Sequence, residues 1–127
     1  MSASIHIISD NRPLATYLGS CVEKVFSGSV LPVRAGNLKP TKNASFVFVD
    51  HRLLTYRDSH ANWTIAELHE LYPNAKVIVF GAEEPEQNQY HVIRGARDFI
   101  SGSMLSSGIL QQYLATRMER DWLSKSA

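Results

Sequence analysis

Cysteine is nearly absent: Cys21 is the only one in the chain. An internal disulfide and a multi-cysteine zinc site are therefore both excluded. No sign of charge dominates either, since 13 basic and 12 acidic side chains leave a formal net charge of +1. That balance gives no electrostatic basis for nucleic-acid or membrane binding by this domain alone. No apolar run reaches the roughly 18 residues of a membrane span. The opening Met1-Ser2-Ala3-Ser4 lacks the basic region of a signal peptide, so cytoplasmic residence is the expectation. The five histidines are scattered without ligand spacing. A glycine-rich phosphate loop, a nucleophile elbow and a histidine–carboxylate constellation are all missing, which argues against an enzyme with its own turnover.

What is present is a series of apolar strands. With 127 residues, 44% hydrophobic and 20% charged, the chain reads as one domain, 1–127, with a real core. Ile5 to Ser9 is the first strand. Asp10 and Asn11 offer N-caps to a helix that carries Pro13 in its first turn and runs to about Phe26. Cys21 falls on that helix's apolar face, and His6 reads as a hydrogen-bonded structural residue. Val30 to Ala35 suits an edge strand, because Pro32 is tolerated there. The segment 36–44 reads as a loop or at most one helical turn.

Ser45-Phe46-Val47-Phe48-Val49-Asp50 is a buried central strand that delivers one carboxylate to the sheet's C-terminal edge. In open α/β folds that edge carries the chemistry. His51 beside it reads as an exposed loop histidine. A polar loop from Thr55 to Ala61 leads to a helix over about Trp63 to Tyr72. Lys76 to Phe80 is the fourth strand. A helix beginning at Glu83-Glu84-Pro85-Glu86 closes near Gly95, and Asp98 to Ser101 is a short fifth strand. Ser101-Gly102-Ser103 reads as a flexible loop. The last helix spans about Ser106 to Leu123, with Ile109, Leu110, Tyr113, Leu114 and Met118 on one face. Trp122 is either an anchor for a neighbouring domain or a cap on the core, and 119–127 is a candidate linker to an effector domain outside the chain. Alternating strands and helices imply a parallel sheet covered on both faces.

Two passages, Leu71-Tyr72-Pro73-Asn74-Ala75-Lys76-Val77-Ile78-Val79-Phe80-Gly81-Ala82 and Gly95-Ala96-Arg97-Asp98-Phe99-Ile100, resemble the response-regulator receiver domains of two-component signalling. The likeness runs from residue 4 to about 118. It implies a flavodoxin-like (CheY-like) three-layer sandwich, a five-stranded parallel sheet in the order 2-1-3-4-5, with the second helix shortened or absent. It places Asp50 at the phosphoacceptor position. Asp10 and Asp50, with the backbone carbonyl of Arg52, match the ligands of a magnesium ion (Mg2+).

The degenerate positions are Ser9, Gly81, Phe99 and Gly102. Ser9 replaces the first acid of the pair, and Gly81 replaces the switch hydroxyl. The family's lysine falls on Gly102 or Ser103, and its cis-proline on Ser103. Phosphoryl transfer needs donors that neutralise charge on the transferred group, so these losses impair it. Asp50 is thus either a phosphoacceptor or a vestigial acid, and Asp10 either a metal ligand or a helix cap.

The resemblance implies an atypical receiver that regulates an output, most often transcription, through protein–protein contacts or dimerisation. The homodimer face would hold Gln87, Tyr90, His91, Arg94, Arg97, Gln111, Arg117 and Asp121. A histidine kinase and an effector domain outside the chain, such as a DNA-binding one, are the implied partners. Two alternatives stay open. One is a weak but genuine phosphoacceptor using Mg2+. The other is a pseudo-receiver that senses a small ligand in the space vacated near Gly81 and Gly102.

Overall fold

The computed structural model describes residues 3–57 and 63–123. The strands are β1 (Ala3–Ile8), β2 (Gly28–Val33), β3 (Ala44–Asp50), β4 (Lys76–Phe80) and β5 (Asp98–Ile100). All pairings are parallel, and the order is β2-β1-β3-β4-β5. The helices are α1 (Arg12–Val25), α2 (Ile65–Leu71), α3 (Pro85–Ile93), α4 (Gly102–Leu105) and α5 (Leu110–Thr116). Wider π-type turns continue α5 over Arg117–Leu123. The sheet order and the three-layer arrangement are those the resemblance implies.

Strand alternation sorts the core into two layers. Ile5, Ile7, Phe46, Phe48, Ile78 and Phe80 face Leu18 and Val22 of α1 and Leu110 and Leu114 of α5. Ile8, Val47, Val49, Val77 and Val79 face Ile65 and Leu68 of α2. Strands buried on both sides explain the unbroken apolar runs in β3 and β4.

Local signals set most of the boundaries. Asn11 caps α1 by accepting from Leu14 N, and Pro13 lies in the first turn. Asp10, the other N-cap expected from sequence, instead accepts from Ala35 N at 3.0 Å. That bond ends β2 early, and Ala35–Asn37 forms a single 3-10 turn where a second helix would lie. α2 opens with a capping box in which Thr64 and Glu67 satisfy each other's backbone N–H. Part of the expected Thr55–Ala61 loop, residues 58–61, lies outside the described residues.

Several expectations need correction. The expected loop at Ser101-Gly102-Ser103 is the start of α4, because Ser101 Oγ accepts from Met104 N. The last helix begins at Leu110, not Ser106. Ser107 Oγ takes the Ile109 N–H, a side-chain bond that competes with helix continuation. Ile109 is consequently outside the core, at 55% exposure. His6 is buried, yet its Nδ1 has no hydrogen-bond partner. Trp122 belongs to the core. Its ring lies 5.8 Å from Phe48, and its Nε1 donates to Asp98 Oδ2 at 2.8 Å. Of the span 119–127 expected to begin a linker, Trp122 thus lies in the core, and 124–127 lie outside the described residues. Among the described residues no helix is long and apolar enough to cross a membrane.

Candidate functional site

The C-terminal edge of the sheet gathers the residues singled out at the ends of β1, β3 and β4. Asp50 closes β3 and is only 3% exposed. Its Oδ1 accepts from Arg52 N at 3.0 Å, which caps the 3-10 turn His51–Leu53. Its Oδ2 accepts from Ser9 Oγ at 2.8 Å. The Ser9 hydroxyl in turn accepts from Asn11 N at 3.0 Å. Buried carboxylates need such donors, and here a serine at the place of the family's first acid supplies one.

These partners do not make a magnesium site. Mg2+ takes near-octahedral oxygen donors and is held by carboxylates. Ser9 contributes a hydroxyl already spent on Asp50, and the Asp10 carboxylate holds Ala35 N. No cluster of three His, Cys, Asp or Glu residues suited to a metal occurs among the described residues. At Arg52 it is the N–H that faces Asp50.

The space expected beside Gly81 and Gly102 is filled from inside. Gly81 has φ +102°, and a β-carbon placed there would stand 2.7 Å from His51 Cδ2. A β-carbon on Gly102 would run into Glu83 Oε1 and stand 2.9 Å from Gly81 O. The imidazole of His51 and the carboxylate of Glu83 thus occupy the room that a switch side chain and a lysine stem would need. Glu83 is itself exposed, so its carboxylate is the movable end of a flexible side chain, whereas the His51 ring is half-buried.

His51 itself is half-buried, not an exposed loop residue, and its Nδ1 lies 3.3 Å from Gln87 Nε2. Burial lowers its pKa, partly opposed by Asp50 and reinforced by Arg52. Nothing in the local sequence marks His51 or Glu83 for this role, because the two are brought to the same edge only by the order of β3, β4 and β5.

The expected dimer face is split by burial. Arg94, Arg97 and Gln111 are exposed, and Tyr90 is half-buried under the Arg94 guanidinium, 3.5 Å from its ring centre. Gln87 is half-buried and engaged with His51. His91 does not belong to a surface: it is 1% exposed, packed against Tyr56 and Tyr90. Arg117 and Asp121 pair with each other at 2.7 Å, and Arg117 also reaches Asp98 at 3.2 Å. Phe99 is half-buried against the α2-side core, and its N–H donates to Asp98 Oδ1.

Solved structures share this architecture. A receiver domain protein of Methanospirillum hungatei is 15% identical, with a TM-score of 0.65 over 94% of this chain and 92% of its own. The response regulator RcsB of Salmonella typhimurium is 14% identical, with a TM-score of 0.69 over 96% of this chain and 64% of its own. A Burkholderia thailandensis protein assigned to pilus assembly is 16% identical, with a TM-score of 0.69 over 93% of this chain and 99% of its own. No family model and no curated protein matches the sequence.

Proposed function

We propose that this chain, which has the fold of response-regulator receiver domains, is an atypical receiver in two-component signalling whose phosphoryl switch is impaired. It would control an output, with transcription the leading one, through protein–protein contacts or dimerisation. The observation that carries this reading is the closed Asp50 site. Both carboxylate oxygens accept internal hydrogen bonds, and His51 and Glu83 fill the room of the missing switch and lysine side chains. Each oxygen keeps a second lone pair, but phosphoryl transfer also needs cations or donors around the phosphoryl oxygens, and glycines stand at 81 and 102 where the resemblance expects a hydroxyl and a lysine.

Exposed Val92 and Ile93 at the end of α3 support a contact face beside Arg94 and Arg97. Its partner is a second copy of the chain. Sedimentation equilibrium should show a dimer that Ile93→Asp abolishes; a monomer at high concentration sinks this part of the proposal.

Backbone NMR with Mg2+ and then beryllium fluoride, a phosphoryl mimic, tests the switch. The expected spectrum stays unchanged around Asp10, Asp50 and Gly81. Saturable shifts there that vanish in Asp50→Asn would overturn the reading and make Asp50 a working phosphoacceptor.

A further inference from the structure

The crossing from β2 to β3 contains only one 3-10 turn, so the α2-side face is open at β2, where Leu31 is 51% exposed, while His6 and Ile8 of β1 stay buried. A groove of about 720 Å³ borders this edge and is lined also by Arg12, Ala15 and Thr16 of α1. Its volume is in the range of roughly 300–1,000 Å³ typical of small-molecule sites. Arg12, Arg34 and Lys39 line it, and no carboxylate does. None of these three cations makes an ion pair among the described residues. Asp10, the acid next to this lip in sequence, holds Ala35 N instead. In a protein of net charge +1, three unpaired cations around one groove are a local excess that attracts an anion.

The groove also has a buried polar atom in want of a partner. His6 lines it at 8% exposure, and its Nδ1 makes no hydrogen bond. A buried, unsatisfied ring nitrogen costs free energy that a ligand group can recover. Beside it stands an aliphatic surface, Leu31, backed by the buried Tyr72 ring. The Tyr72 ring meets His6 edge-on at 5.3 Å, and Leu31, the register partner of His6 on β2, is 51% exposed.

We propose that this groove binds a small phosphorylated ligand carrying a flat ring, of the nucleotide class. Its phosphates would pair with Arg12, Arg34 and Lys39, guanidinium forks suiting phosphate oxygens. Its ring would cover Leu31 and reach the edge of His6. Neither part alone uses the whole groove: inorganic phosphate leaves the apolar wall bare, and a neutral ring leaves three cations unpaired. The site does not depend on the state of Asp50.

The test is an NMR titration of the full chain at about 150 mM salt, where weak surface pairing is screened. The probes are ATP, pyrophosphate and adenosine. ATP should give saturable shifts over Leu31–Thr41 and at the His6 imidazole, with affinity at least about tenfold above pyrophosphate or adenosine. Arg34→Ala with Lys39→Ala, both exposed positions, should weaken ATP at least about tenfold while leaving the rest of the spectrum intact. Asp50→Asn should bind ATP as the parent does, which separates this result from the fate of the phosphoryl switch. Absence of saturable shifts with ATP, equal binding of pyrophosphate, or an unaffected double variant each overturns the proposal.

Discussion

Gly81 shows how a single position closes the site. Its positive φ disfavours any side chain, and the His51 ring stands where a hydroxyl-bearing one would go. Restoring the family's residue by Gly81→Ser should therefore destabilise the protein by about 1–3 kcal/mol, read from urea unfolding. Adding His51→Ala should return part of that loss, because the ring is the obstacle. Equal losses with and without His51 would show that the ring does not fill the pocket. His91 is the second residue with a measurable signature. Burial, with His51 and Arg94 nearby, lowers its pKa from 6.5 to about 4. Between those two values the unfolded chain binds a proton that the folded chain refuses. Stability should thus be full above pH 6.5 and fall as pH drops towards 4, with His91→Gln flattening the decline. A urea midpoint that holds steady from pH 7 to pH 4.5 would contradict the burial of a neutral ring.

Among elements, α2 was the easiest to place. Apolar residues Ile65, Leu68 and Leu71 recur at helical spacing, and Thr64-x-x-Glu67 is a capping box written in the sequence. Thr64→Ala should cost about 1 kcal/mol by urea unfolding, since the Glu67 backbone N–H loses the hydroxyl that accepts it. No change would mean that water satisfies it equally well. The C-terminal part was harder. Serines 101, 106 and 107 form side-chain bonds with the backbone, so helix propensity alone ran the last helix through a break at Ser106–Ile109. The shortened passage between β2 and β3 was legible, because Pro40 and polar residues leave nothing to propagate a helix there.

For the whole molecule, Trp122 decides where the domain stops being optional. It packs with Phe46 and Phe48 of the central strand, far away in sequence, and bonds Asp98 at the end of the chain's order. Trp122→Ala should cost about 3–5 kcal/mol, measured by chemical unfolding, because it opens a cavity in the principal core layer. A loss under about 1 kcal/mol would place the ring outside that core. The Asp98, Arg117 and Asp121 network then becomes a clamp on the C-terminal turns and leaves two of the expected dimer-face residues engaged within the domain.

Strand identity and sheet membership were present in the sequence by itself, and the serine and glycines at 9, 81 and 102 stood out once the receiver resemblance was drawn. Apolar periodicity and residue chemistry are local properties, and they act over a few residues at a time. What filled the losses was decided only by tertiary structure. Ser9 meets Asp50 across 41 positions, and His51 and Glu83 converge on glycines that β3, β4 and β5 bring together. A lone serine, histidine or glutamate carries no mark of such a meeting, because its partner is set by strand order and register. The same holds for the cationic groove: Arg12, Arg34, Lys39 and His6 become one site only because β2 lies beside β1 with no helix over the gap.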